Sequence, residues 1–167
     1  IDFHTHIFPP SVKNNRKLYL QKDNTLEALF STSKGKMATI EELIESMDYH
    51  GIDISVVMGM GWTDSGLARE ANDYIIEAVR KYPDRIVGFG SVNPAWGGEA
   101  VKEIQRFASK GLKGIGEIHP HIQGFDLGDN RVLDPIVEIA SENGLIFLTH
   151  SSEPVGHQYP GKGKTTP

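Results

Sequence analysis

The 167-residue chain is 38% hydrophobic and 23% charged with a net charge of −5, the composition of a globular protein. That balance argues against nucleic acid or an anionic membrane surface as the main partner, and no apolar run approaches the roughly 20 residues that span a bilayer. The absence of cysteine excludes disulfides and thiolate ligands, so any metal site must draw on His, Asp, Glu or a modified Lys.

The first predicted strand, residues 1–6, carries Asp2, His4 and His6 two apart. Strict alternation would set these three on one face and Ile1, Phe3 and Thr5 on the other. Polar groups gathered on a buried face need partners, and a metal ion is one such partner. Residues 7–38 then form an unusually long, Lys-rich connection with one short helix expected around Leu26–Phe30; excursions of this kind are often lids or binding loops. Thr39 and Glu42 make a capping box for a helix closed by Gly51, with His50 in its last turn answering the helix dipole.

A strand over 54–60 leads to Gly59-Met60-Gly61-Trp62, where Trp62 is expected to wall a substrate pocket. Leu67, Ala71, Ile75, Ala78 and Tyr82 mark the next helix, ended by Pro83, and a third strand follows at 86–92. Val101, Ile104, Phe107 and Ala108 form another helix before a strand over 112–118 that presents Glu117, with His119 and His121 beyond it. Asp134-Pro135 reads as an N-cap with Pro at the first helical position, leading to Gly144 and a fifth strand at 145–150 that ends in His150. The tail carries Glu153, His157, Lys162 and Lys164, the lysines expected to be solvated.

Strand and helix alternate, which predicts a parallel sheet with helical crossovers in a single domain over residues 1–167. The recurring unit is about 30 residues and a (β/α)8 barrel needs about 250, so five units are about five-eighths of one. An incomplete barrel is favoured over a five-stranded doubly wound sheet, because every polar cluster falls at the C-terminal end of a strand, where barrel sites lie. A missing initiator Met suggests that a few residues precede Ile1. No signal-peptide pattern is visible, and a cytoplasmic location is the expectation. Taken singly, each motif has an ordinary reading as well: satisfied core histidines for His4 and His6, a solvent-facing strand end for His150, and a buried carboxylate paired with Lys or Arg for Glu117.

Asp2-Phe3-His4-Thr5-His6 resembles the HxH signature of the amidohydrolase superfamily, specifically the branch that holds small-acid decarboxylases and many uncharacterised hydrolases. Tyr82–Phe89 with Ser91–Pro94, Gly111–Pro120 and Thr149–Pro154 extend the likeness along the whole chain. The resemblance implies a metal-dependent enzyme on a distorted (β/α)8 barrel, with His4, His6 and His150 as ligands. It places Glu117 where the superfamily puts a carbamylated Lys, a Glu or neither. One or two divalent ions are implied, zinc first, with manganese, iron or nickel as alternatives. Asp2 would fix a histidine tautomer from beneath, and His119 and His157 would face a small-molecule substrate. The family's further His and its Asp, which serves as ligand and proton shuttle, are absent, so the catalytic base is unassigned. The leading expectation is a hydrolase whose metal-activated water attacks an amide, ester or lactone carbon. The alternatives are a decarboxylase of a small aromatic or enol acid and an inactive metal- or ligand-binding homologue. A homodimer is the default by analogy with such barrels.

Overall fold

A computed structural model describes residues 1–32, 35–152, 156–159 and 162. Five parallel strands, β1 (Asp2–His6), β2 (Ser55–Met58), β3 (Ile86–Gly90), β4 (Gly114–Ile118) and β5 (Ile146–Thr149), pair in simple chain order and curl into half of a barrel. The crossovers are α4 (Ile40–His50), α5 (Ser65–Lys81), α6 (Gly98–Ala108) and α8 (Asn130–Glu142). Before them, the long first connection folds into α1 (Pro10–Asn14), α2 (Arg16–Leu20) and α3 (Asn24–Phe30); the single turn α7 (Pro120–Gln123) follows β4.

Local chemistry sets most of these boundaries. The capping box of Thr39 and Glu42 starts α4, and Gly51, at a φ of 67°, ends it in the left-handed conformation that glycine adopts without strain. Asp64 caps α5 by accepting from Leu67 N–H at 2.7 Å, and Asp23 does the same for α3 through Leu26. The other end of α8 departs from expectation. Its N-cap is Asp129, whose carboxylate also binds the Arg131 guanidinium at 3.0 and 2.9 Å, so the helix starts before Asp134 and holds Pro135 inside it. Pro135 sits early enough to forgo a single backbone hydrogen bond, and the cap upstream outweighs its preference for the first turn.

The two faces of the sheet bury different partners. Val57, Ile86 and Ile115 face the helices, packing with Ile75, Ile104, Phe107 and Ile136. Val56, Met58 and Phe89 make a small cluster of their own, with Val87 and Leu148 against it, on the inner face. Helices α1 to α3 carry a further cluster, in which Phe8, Val12 and Leu26 pack around Trp62, Leu67 and Ala71. The long connection is thus anchored by apolar burial. Asp23, itself buried, reinforces the anchor by accepting from the backbone of Thr63 and Asp64.

Strict alternation fails in β1. Asp2 pairs with Ser55 but Thr5 with Val57, so three steps on β1 match two on β2 and the register slips by one residue. Phe3 consequently lines the inner hollow with Val56 and Phe89, on the same side as His6, and is not turned away from the histidines as the alternating pattern predicts. A matching slip lies between Ile115 and Ile118 of β4 against β5. Gly116 occupies it at a φ of 147°, and a Cβ there would come within 2.7 Å of the Leu148 carbonyl oxygen.

Candidate metal centre

His4 and His6 rise from the end of β1, and Glu117 stands near the end of β4. The slip in β1 and the curl of the sheet bring them together: one ligand atom from each lies within 4.8 Å of the others. His4 Nε2 is 3.0 Å from His6 Nε2 and 3.3 Å from Glu117 Oε2, and His6 Nε2 is 3.7 Å from the same oxygen. The strand that carries Glu117 is fixed from the side, since its N–H donates to the Gly59 carbonyl at 2.9 Å.

The tautomers follow from the partners. His6 Nδ1 faces the Met58 carbonyl at 3.2 Å, and a carbonyl only accepts, so Nδ1 bears the proton and Nε2 presents its lone pair. Burial holds His6 below the ordinary imidazole value and the neighbouring His4 adds to this, against an upward pull from Glu117. Neutral His6 is the form that ligates. His4 Nε2 faces this lone pair at 3.0 Å, a separation that needs a proton or a cation between the two nitrogens. Nitrogens each 2.0–2.1 Å from one ion stand about 3.0–3.4 Å apart at angles of about 90–110°. The donor set therefore fits a divalent cation.

His150 follows β5 directly and turns to the other oxygen of Glu117, with Nδ1 3.1 Å from Oε1 and Nε2 3.2 Å from Ser152 Oγ. Burial alone would raise the Glu117 pKa. The hydrogen bond from His150 and the charges of His4, His6 and His150 outweigh it, so the carboxyl stays below its usual range. As a carboxylate Glu117 only accepts, which makes His150 Nδ1 the donor. The expected Lys or Arg partner of a merely structural Glu117 does not occur among the described residues, where its ion-pair partners are these three histidines. His150 thus contacts the cluster through Glu117 and stands one carboxylate away from the His4–His6 pair.

The remaining candidates scatter. His119 is 3% exposed, and its ring stacks on His150 with centroids 3.9 Å apart and planes 16° from parallel. Burial, with His150 beside it, pushes its pKa down to about 4. Trp62 is 1% exposed, in the core beneath the first connection and edge-on to Phe8, where the helices of that connection close over it. His157 is exposed beside Tyr159, and His121 and His50 are exposed. Asp2 does not reach a histidine ring; its Oδ1 accepts from the His4 backbone N–H at 3.1 Å, and the Met58 carbonyl holds the tautomer in its place. Glu153 and Lys164 lie outside the described residues.

Gln123 escaped the sequence reading. Its side chain accepts from His119 N–H at 2.7 Å and donates to the Trp62 and Val92 carbonyls at 2.9 and 3.0 Å, tying together the loops after β2, β3 and β4. No motif marks a glutamine in a one-turn helix for that task.

A family profile described as Amidohydrolase matches residues 1–165. The chain belongs to the amidohydrolase family. A curated relative, the 2-amino-3-carboxymuconate-6-semialdehyde decarboxylase of Dictyostelium discoideum, is 27% identical over 180 residues, covering 93% of this chain and 50% of the relative. The 5-carboxyvanillate decarboxylase of Novosphingobium aromaticivorans, solved with manganese and 3-methoxy-4-hydroxy-5-nitrobenzoic acid, superposes with a TM-score of 0.72 at 26% identity over 90% of this chain and 50% of that one. A probable 2-pyrone-4,6-dicarboxylic acid hydrolase of Acinetobacter baumannii shares the fold, with a TM-score of 0.57 at 15% identity over 90% and 49% of the two chains. The chain spans about half the length of the amidohydrolases it matches, and its curled sheet corresponds to about half of their TIM-type barrel.

Proposed function

We propose that this amidohydrolase-family chain serves a metal-dependent decarboxylase of small unsaturated or aromatic acids. The observation that carries the reading is the convergence of His4, His6 and Glu117 from two strand ends. Its direction comes from the Dictyostelium and Novosphingobium relatives, each above 25% identity and each named as a decarboxylase. The hydrolytic reading uses the same donors but rests on a fold likeness alone.

A divalent ion there would supply positive charge that anchors the oxygens of an acid and offsets the negative charge left as carbon dioxide departs. His6 holds its bare Nε2 toward the centre through the Met58 carbonyl, and the Glu117 carboxylate would offset the charge of a cation held there. His150 anchors Glu117 Oε1 and so leaves Oε2 for the histidine pair. Imidazole donors suit zinc and a carboxylate donor suits manganese, so this mixed set without thiolate is open to either ion.

The test is elemental analysis together with product analysis on a panel of carboxylated phenols and carboxymuconate-type acids. Stoichiometric metal and release of carbon dioxide are expected, with both lost in His4→Ala and His6→Ala and retained in His50→Ala. A hydrolysis product without carbon dioxide overturns the reaction, and equal losses in all three variants overturn the site.

A further inference from the structure

His119 is the buried polar side chain that the reading above leaves without a task. Both ring nitrogens are shielded from solvent, and neither has a hydrogen-bond partner among the described residues. A buried donor or acceptor left unpaired costs about 1–3 kcal/mol, so an apolar residue would fill this slot at less cost. The position is nevertheless held firmly. Gln123 accepts from the His119 backbone N–H, and Gly61 leaves just enough room: a Cβ there would lie 2.5 Å from His119 Cβ and 2.6 Å from its N. What the ring touches is His150, face to face at 3.9 Å.

We infer that His119 is a positioning residue for the metal centre, its stacked ring holding His150 in the orientation that donates Nδ1–H to Glu117 Oε1. The inference rests on the metal-centre reading above. His150 has two ring nitrogens and two partners, Glu117 at 3.1 Å and Ser152 at 3.2 Å, and turning the ring out of its plane about the Cβ–Cγ bond would break both contacts. The flat face of His119 leaves the ring in its plane and penalises rotation out of it. Glu117 is then fixed by its Oε1, which leaves Oε2 aimed at His4 and His6. The interaction is one of ring faces, so an aromatic replacement preserves it and a small aliphatic one does not.

The experiment compares His119→Phe and His119→Ala with the unaltered protein. One readout is the nitrogen-15 NMR signature of the His150 ring in metal-free protein, and the other is the dissociation constant for Mn2+ and Zn2+ by calorimetry. Outer partners of metal ligands commonly carry 10–100-fold in affinity, so His119→Ala is expected to weaken metal binding about tenfold. The same variant shifts the His150 nitrogens from a fixed Nδ1–H tautomer toward averaged values, while His119→Phe keeps both readouts near the unaltered protein. Wild-type values in His119→Ala, or a loss in His119→Phe as large as in His119→Ala, overturn the inference. If His119→Ala fails to fold, His119→Phe decides alone: retained values support the stacking role and lost values refute it. If the unaltered protein binds neither metal, the metal-centre reading fails by itself, and the NMR comparison still tests whether His119 sets the His150 ring.

Discussion

Between the loop after β2 and the backbone and Cβ of His119 there is no room for a methyl group. A Cβ at Gly61 would sit 2.5 Å from His119 Cβ and 3.0 Å from Gln123 Oε1, against atoms that are themselves pinned. Gly61→Ala is therefore expected to destabilise the fold by about 1–3 kcal/mol, the usual range for overpacking. Urea denaturation checks it, and an unchanged midpoint would mean the loop yields freely. At this scale the sequence was legible where chemistry is local. The two-residue spacing of His4 and His6 and the positions of Glu117 and His150 at strand ends were visible in the text of the chain. Their mutual geometry was not, because it depends on how far the sheet curls. The burial of Trp62 and the bridging role of Gln123 were not legible for one reason: each is defined by partners about 30 to 60 residues away, Phe8 and Val92 among them.

Helices α5 and α6 are joined by a charged network set apart from the metal centre. Arg106 donates to Glu103 at 2.7 Å through two nitrogens and to Asp73, while Asn72 bridges Glu103 and the backbone of Ser91. Burial works to raise the pKa of Glu103, but the hydrogen bonds from Arg106 and Asn72 and the charges of Arg106 and Arg69 prevail, so its carboxyl sits below the ordinary 4.5. A carboxylate with a depressed folded-state pKa contributes stability that is complete above its unfolded value and is lost as pH falls through the folded one. Stability should thus decline as pH drops below about 4.5. In Glu103→Gln that part of the decline should vanish, as measured by thermal melting from pH 3 to 7. Superimposable profiles would remove Glu103 from the account. The alternation of strands and helices was readable from periodicity alone. The start of α8 was not, since Asp129 and Asp134 are both competent caps and the packing of Ile136 and Ile139 selects between frames only in three dimensions.

Across the whole molecule, the inner face of the half-barrel is apolar and open. Ile1, Phe3 and Ile146 are 67%, 70% and 59% exposed along a hollow of about 430 Å³ with Val56, Phe89 and Leu148 on its floor. Contiguous apolar surface of this kind binds hydrophobic probes. The 167-residue chain is expected to enhance the fluorescence of an anilinonaphthalene sulfonate dye, and Ile146→Glu to reduce that enhancement by about half or more without altering metal content. Equal fluorescence from both proteins would place the dye elsewhere. Among the described residues no helix is long and apolar enough to cross a membrane.

The one-residue slip in β1 links this greasy wall to the imidazoles. With Asp2 opposite Ser55 and Thr5 opposite Val57, a single short strand contributes Phe3 to the lining and His6 to the rim on the same side. Strands repeat every two residues, so trimming one residue between Asp2 and Thr5 would restore even phase. Either the aromatic lining or an imidazole would then swing to the helix-packed side, and the strand could no longer perform both duties at once.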